Sequence, residues 1–257
     1  MIVCKSAAEL EKMHRAGLVV WDVLTALRKM VAPGVSTMDL EKFAARRCEE
    51  HQARPAFQGY RGYPCVLCTS VNQEVVHGIP SERRKLKAGD VLSMDFGVEL
   101  DSYFADSAVT VPVGEVDPET AKLLRVTRES LDRAIDKMRP GNRLSDVSHA
   151  VQSWVEPNGF SVVREFVGHG IGTKMHEDPQ LPHYGPPGRG PRLQEGMVLA
   201  IEPMVNAGGP GVRVLEDEWT AVTTDGSRSA HFEHTVAVTG NGPWILTRPK
   251  NVKGPAW

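Results

Sequence analysis

The sequence predicts an α+β fold of two similar halves arranged around one shared site. Three observations carry this prediction. Helices with apolar residues near a 3.6-residue period occur in pairs, one pair starting near residue 7 and the other near residue 117. Short β-type runs bounded by turns follow each pair. Acidic side chains interrupt those apolar runs in both halves, at Asp95, Asp106, Glu202 and Glu233. Helices followed by strands, twice over, suit helices packed on a largely antiparallel sheet.

The first helix runs over Ala7–Met30, with Leu10, Met13, Val20, Leu24 and Leu27 inward, and Ala32-Pro33-Gly34 stops it. The second starts near Ser36 or Thr37, points Leu40 and Phe43 inward and fades by His51. Strand-like segments follow at Val66–Val76, Val91–Glu99 and Tyr103–Val111. In the second half Asp117 is an N-cap with Pro118 at the first helical position, and the helix extends to Met138 before Arg139-Pro140-Gly141. Leu144–Val155 is the fourth helix, ended by Pro157-Asn158-Gly159. Strand signals return at Ser161–Glu165, Met197–Val205, Glu218–Thr223 and Thr235–Thr239, with Gly185–Pro191 as a loop. One domain over 1–257 is expected, with half-repeats of roughly 1–112 and 116–247 and no extension domain.

Composition narrows the function classes. The 257 residues hold 30 Lys+Arg against 32 Asp+Glu, a net charge of −2, which argues against a protein that coats nucleic acid. A 41% hydrophobic and 24% charged composition suits a soluble globule. No apolar run approaches the ~18 residues of a membrane span. Lys5, Glu9, Glu11 and Lys12 interrupt any signal-peptide core, so a cytoplasmic enzyme is expected. Cys4, Cys48, Cys65 and Cys68 are too few and too irregular for a disulfide framework. Cys65 and Cys68 form a CxxC, but within Tyr63–Val71, read as a strand, residues three apart face opposite sides and share neither a metal nor a disulfide.

The acidic residues carry the chemistry. A hairpin turning at Leu100-Asp101 sets Asp95 directly opposite Asp106, with Cβ atoms ~5 Å apart on one face. Two carboxylates there repel; either a cation lies between them, or one is a turn residue and only the other is buried. His169 lies in Gly168-His169-Gly170-Ile171-Gly172, where glycines let a bound group approach closely. Glu202 precedes Pro203 inside an apolar run, and Glu233 opens another. Singly, each of these glutamates reads as a solvent-facing strand end. Together, four carboxylates and one imidazole balance two divalent cations and suit Mn, Fe, Co or Zn.

These motifs resemble those of the type I, bacterial-type methionine aminopeptidases. The resemblance covers nearly the whole chain: Val76-His77-Gly78-Ile79-Pro80, Asp95-Phe96-Gly97, Asp106, Gly168–Gly172, Ile201-Glu202-Pro203-Met204 and Phe232-Glu233-His234-Thr235. It implies a pita-bread fold, two pseudo-symmetric halves of two helices and strands around a dinuclear metal site. Asp95, Asp106, His169, Glu202 and Glu233 would be the ligands, with Asp106 and Glu233 bridging and Glu202 moving the proton of the attacking water. It implies that His77 contacts the amide beyond the scissile bond and that His176 stabilises the oxyanion. Phe57, Tyr60, Tyr63, Cys68 and Trp219 would form the methionine pocket. Phe57, Met175 and His231 depart from commoner residues of the family, and bear on pocket size. A monovalent cation (Na or K) site of main-chain carbonyls would map onto Asn72, Glu74 and Ser229.

The implied activity is removal of the initiator methionine from nascent polypeptide N-termini when the second residue is small, by a monomer that binds neither membrane nor nucleic acid stably. Two basic clusters, Arg83-Arg84-Lys85 with Lys87 and Arg46-Arg47, are either a transient ribosome contact or solvated faces. Two other readings compete. A proline-directed peptidase of the prolidase or aminopeptidase P kind usually carries an extra N-terminal domain, and a metal-free binding protein of this fold loses ligands. Only 31 positions separate Glu202 from Glu233, too few for the type II insertion. No N-terminal zinc-finger segment of the eukaryotic type I kind is expected.

Overall fold

The computed structural model describes residues 2–252, 254, 255 and 257. Local sequence sets the helix ends. Ser6 caps α1 (Ala7–Met30) in a capping box with Glu9, and Ser36 caps α2 (Thr37–Glu50) in a second box with Asp39. Asp117 caps α3 (Pro118–Ile135), which ends three residues short of the predicted Met138. Helix α4 spans Leu144–Val155 as predicted.

The strands of the first half form a sheet centred on Val91–Leu100. One edge of that strand pairs with Arg54–Pro55 and Leu67–Val71, the other with Tyr103–Pro112. In the second half a five-stranded sheet runs Gly242–Ile245, His234–Thr239, Val198–Ile201, Gly168–Gly170, Glu177–Leu181. One core joins the halves: Leu24, Leu27, Phe96, Leu123, Val151, Leu199 and Val236 are buried in one cluster.

Four sequence expectations need correction. Val66–Val76 is two strands, because Asn72 adopts a left-handed φ of 59° and Glu74–Val76 leaves to pair with Ala221–Thr223. Met197–Val205 also breaks, at Glu202-Pro203, and Met204–Asn206 joins Ser229–His231. The hairpin turns one residue later than expected, at Asp101-Ser102, both left-handed (φ 51° and 65°) as a two-residue turn that matches strand twist requires. Asp106 therefore faces Gly97, and Asp95 faces Ala108; the two aspartates are diagonal neighbours on one face, not opposed. Finally, Cys65 lies ahead of the strand that starts at Leu67, so the opposite-face argument fails: Cys65 and Cys68 are buried in one cluster with Tyr63, both as free thiols.

Gly168–Gly170, Glu177–Leu181 and Gly242–Ile245 form strands that alternation did not reveal. Their glycines and prolines mask the β pattern, and partner strands supply the order.

Candidate metal centre

Five side chains converge where the two halves meet. Asp95 and Asp106 project from the first-half hairpin. His169 lies in Gly168–Gly170, opposite Ala200 of the neighbouring strand. Glu202 stands at the strand break before Pro203, and Glu233 between Ser229–His231 and His234–Thr239. Cross-links hold the halves in register at this point. The Glu233 N–H donates to Ala108 O (2.9 Å), the Asp106 N–H to Thr235 Oγ1 (3.1 Å), the Thr235 hydroxyl to Asp106 O (2.8 Å) and the Ser107 hydroxyl to Glu233 O (2.5 Å).

Ligand-type atoms of Asp106, His169 and Glu233 lie within 4.8 Å of one another, and His169 Nε2 is 3.5 Å from Glu202 Oε1. His169 Nδ1 donates to Gly170 O (2.9 Å), which leaves Nε2 with its lone pair toward the cluster. Asp95 Oδ1, Asp106 Oδ1 and Glu233 Oε1 are buried with no hydrogen-bond partner among the described residues. Glu233 is only 1% exposed. Such orphans are costly in a metal-free site, about 1–3 kcal/mol each or more for a charge. Burial first, then neighbouring negative charge, pushes Asp95, Glu202 and Glu233 well above the usual carboxylate range. Burial also raises Asp106, against a hydrogen bond from Asp95 that lowers it. Burial depresses His169 to about 3, so its ring is neutral. Acceptor-only oxygens that repel one another, beside a neutral imidazole, fit divalent cations.

A cavity of about 180 Å³ opens from this cluster. That is below the ~300–1,000 Å³ of drug-sized pockets and suits one side chain. Phe57, Tyr60, Tyr63, Cys68, Met175 and Trp219 line it together with Asp95 and Glu202. Cys68 faces Asp95 across the sheet, which puts both on one face. The Tyr63 hydroxyl donates toward Leu67 O and Gly78 O, both at 3.1 Å, and its ring meets Trp219 edge-on at 5.1 Å.

His77 and His176 stand at the rim. His77 has a left-handed φ of 60°, a strained setting for a histidine, and packs edge-on against Phe166 (5.5 Å) and Trp219 (6.2 Å). Burial, then the charge of His176, depresses it to about 4. The His176 ring lies 4.2 Å from that of His169, and its Nδ1 is 2.8 Å from the Tyr60 hydroxyl.

Sequence reasoning gave no role to two neighbours of the cluster, His183 and Phe166, and tied a third, His231, only to pocket size. His183 Nε2 accepts the Glu202 N–H at 3.2 Å, and buried His231 Nε2 is 3.9 Å from Glu202 Oε2. Phe166 walls His77. His183 carries no local signal; His231, expected to bear on pocket size, stands beside Glu202 and is not among the residues that line the cavity. Of the residues assigned to a monovalent ion, Asn72 O accepts the Ser229 N–H at 2.9 Å, while Glu74 binds Val71 N and Arg84. The basic clusters are partly paired, Arg84 with Glu74 and Arg47 with Asp22 and Glu50.

Comparison with known proteins agrees with this geometry. Residues 11–240 match the model of Metallopeptidase family M24. A curated relative, methionine aminopeptidase 1 of Bacillus subtilis, is 53% identical over 96% of this chain and 100% of its own length. Methionine aminopeptidase 1 of Mycobacterium tuberculosis is 48% identical over 95% of this chain and 94% of its own. The crystal structure of methionine aminopeptidase from Thermotoga maritima superposes with a TM-score of 0.96 at 50% identity, covering 97% of this chain and all of that one. Prolidase from Pyrococcus furiosus shares the fold at a TM-score of 0.76 but is 21% identical, and 66% of its chain is covered. The pita-bread fold expected from the sequence is thereby established. No helix among the described residues is long and apolar enough to cross a membrane.

Proposed function

From membership of Metallopeptidase family M24, to which this chain belongs, we infer a metal-dependent methionyl aminopeptidase that removes the initiator methionine from polypeptide N-termini. The observation that carries the reading is the meeting of both halves at three buried, unpartnered carboxylate oxygens and a neutral imidazole. Asp95, Asp106, His169, Glu202 and Glu233 would hold two divalent cations (Co, Mn, Fe or Zn). Bound there, the cations would acidify the attacking water and polarise the scissile carbonyl.

The remaining roles belong to side chains. Glu202 takes the proton of the attacking water and passes it to the departing amine nitrogen, its backbone N–H fixed by the bond to His183 Nε2. With the Tyr60 hydroxyl donating to His176 Nδ1, the ring carries its proton on Nε2 and donates it to the developing oxyanion, worth about 3 kcal/mol in comparable sites. His77 contacts the amide beyond the scissile bond; the Phe166 and Trp219 rings around it favour a small second residue. The methionine side chain fills the pocket of Phe57, Tyr60, Tyr63, Cys68 and Trp219, with a soft sulfur contact open to Cys68.

A sodium or potassium ion at the Asn72, Glu74 and Ser229 carbonyls, a monomer in the cytoplasm, and a transient ribosome contact through the Arg83–Lys87 loop accompany an enzyme that meets nascent chains. The 1–257 span would act as one catalytic domain. A proline-directed activity is not favoured, since the prolidase likeness is one of fold alone.

The deciding assay removes metal, restores Co, Mn, Fe or Zn, and compares Met-Gly and Met-Ala peptides with Xaa-Pro peptides. Metal-dependent release of Met is expected; cleavage of Xaa-Pro alone would replace the reading with the proline-directed one.

A further inference from the structure

The turn that leads to His176 rests on a buried ion pair. Lys5, just ahead of the α1 cap, places Nζ 2.5 Å from Glu177 Oε2 and 3.0 Å from Val3 O. The two charged side chains are only 4% and 12% exposed. The other Glu177 oxygen, Oε1, accepts the backbone N–H groups of Thr173 (2.8 Å) and Lys174 (3.2 Å). Glu177 therefore holds the turn on one side while Lys5 holds Glu177 on the other. Lys5 is itself anchored, its N–H donating to Gly196 O at 2.7 Å. The last glycine of the Gly168–Gly172 motif belongs to this arrangement: a Cβ at Gly172 would stand 2.4 Å from Lys5 Cε and 2.7 Å from Glu177 Oε1.

We propose that Lys5 is a positioning residue that sets the placement of His176 by fixing the Glu177 carboxylate under its turn; this rests on the oxyanion role given to His176 above. The carboxylate is thus tied at both oxygens, and its orientation under the turn depends on the cation that holds Oε2. Without Lys5, Glu177 Oε2 has lost its partner, the carboxylate turns toward water, and the turn loses its shape. A displacement of ~1 Å at a reacting group can lower a rate about 100-fold.

A double-mutant cycle of Lys5→Met and His176→Ala tests this, reading kcat and KM on Met-Ala-Ser together with bound metal. Lys5→Met alone should lower kcat by about 10- to 100-fold, leave KM within about 3-fold and leave metal content unchanged. On the His176→Ala background it should change kcat less than about 2-fold, because its route to the reaction is gone. Lys5→Arg should restore most of the rate. An equal loss in both backgrounds would overturn the proposal and make Lys5 a merely structural residue. A normal kcat for His176→Ala alone would instead remove the His176 reading, and the positioning role with it. If Lys5→Met does not fold, Glu177→Gln takes its place in the cycle, since it keeps an acceptor for the turn and loses the charge.

Discussion

Gly97 faces Asp106 across the hairpin, and a Cβ at position 97 would lie 3.3 Å from Asp106 Oδ1, 3.2 Å from Ala56 Cβ and 3.0 Å from Phe57 Cε1. The glycine of Asp95-Phe96-Gly97 thus leaves space shared by one buried, unpartnered oxygen of the candidate centre and one wall of the cavity. Gly97→Ala must move the carboxylate or the ring. We expect metal affinity to fall about 10-fold, in the range seen for outer contacts of metal ligands, with a raised KM for Met-Ala peptides. Titration calorimetry and steady-state kinetics check this; unchanged values in both would mean the space is not used.

Asp106→Asn keeps the size of the side chain but removes a charge from a carboxylate that clusters with His169 and Glu233 within 4.8 Å. Turnover should be abolished and bound metal should drop from two ions per chain to one or none. Elemental analysis alongside activity decides the point. Near-normal turnover with one ion retained would sink the dinuclear arrangement.

Metal-free protein should lose stability as pH rises above about 6.5. The carboxyls of Asp95, Asp106, Glu202 and Glu233 hold protons to higher pH when folded than the ordinary value of about 4. Above that ordinary value the folded state binds more protons, so their contribution to stability falls as pH rises. The buried His169 and His231, each depressed to about 3, act oppositely: between there and about 6.5 the unfolded chain binds more protons, and stability rises with pH. Only the carboxyl effect remains above about 6.5. Divalent cations displace those protons, so the gap in Tm between loaded and metal-free protein should widen from about pH 6.5 to 8.5. A Tm gap independent of pH would contradict the raised carboxyls.

Glu41, on α2, supports the pocket from behind. Its two oxygens accept the Val66 and Leu67 N–H groups at 2.8 Å each, at the start of the strand that carries Cys68. Glu41→Ala leaves two buried donors unpaired and should cost about 2–5 kcal/mol in urea unfolding. Glu41→Gln, which keeps one acceptor, should lose less. Equal losses in the two variants would mean that side-chain volume, not the pair of hydrogen bonds, is what matters there.

Periodicity and capping alone place all four helices, because their ends depend on nearby residues: Ser6 with Glu9, Ser36 with Asp39, Asp117 before Pro118. The five candidate ligands are equally visible, as acids inside apolar runs and a histidine among glycines. Their number and charge suggest two divalent cations, and the motifs around them carry the family resemblance. What the chain does not display is how they meet. The hairpin register, one residue off the expected turn, depends on Asp101 and Ser102 accepting left-handed backbone. The breaks at Asn72 and Pro203 send strands to other sheets. His183 and His231 reach Glu202 only because separate strands converge. Lys5 and Glu177 stand 172 positions apart and pair only in the folded molecule. Local rules act over a few residues, whereas register, strand exchange and buried ion pairs are settled by long-range packing; that difference separates what could be read from the chain from what required its fold.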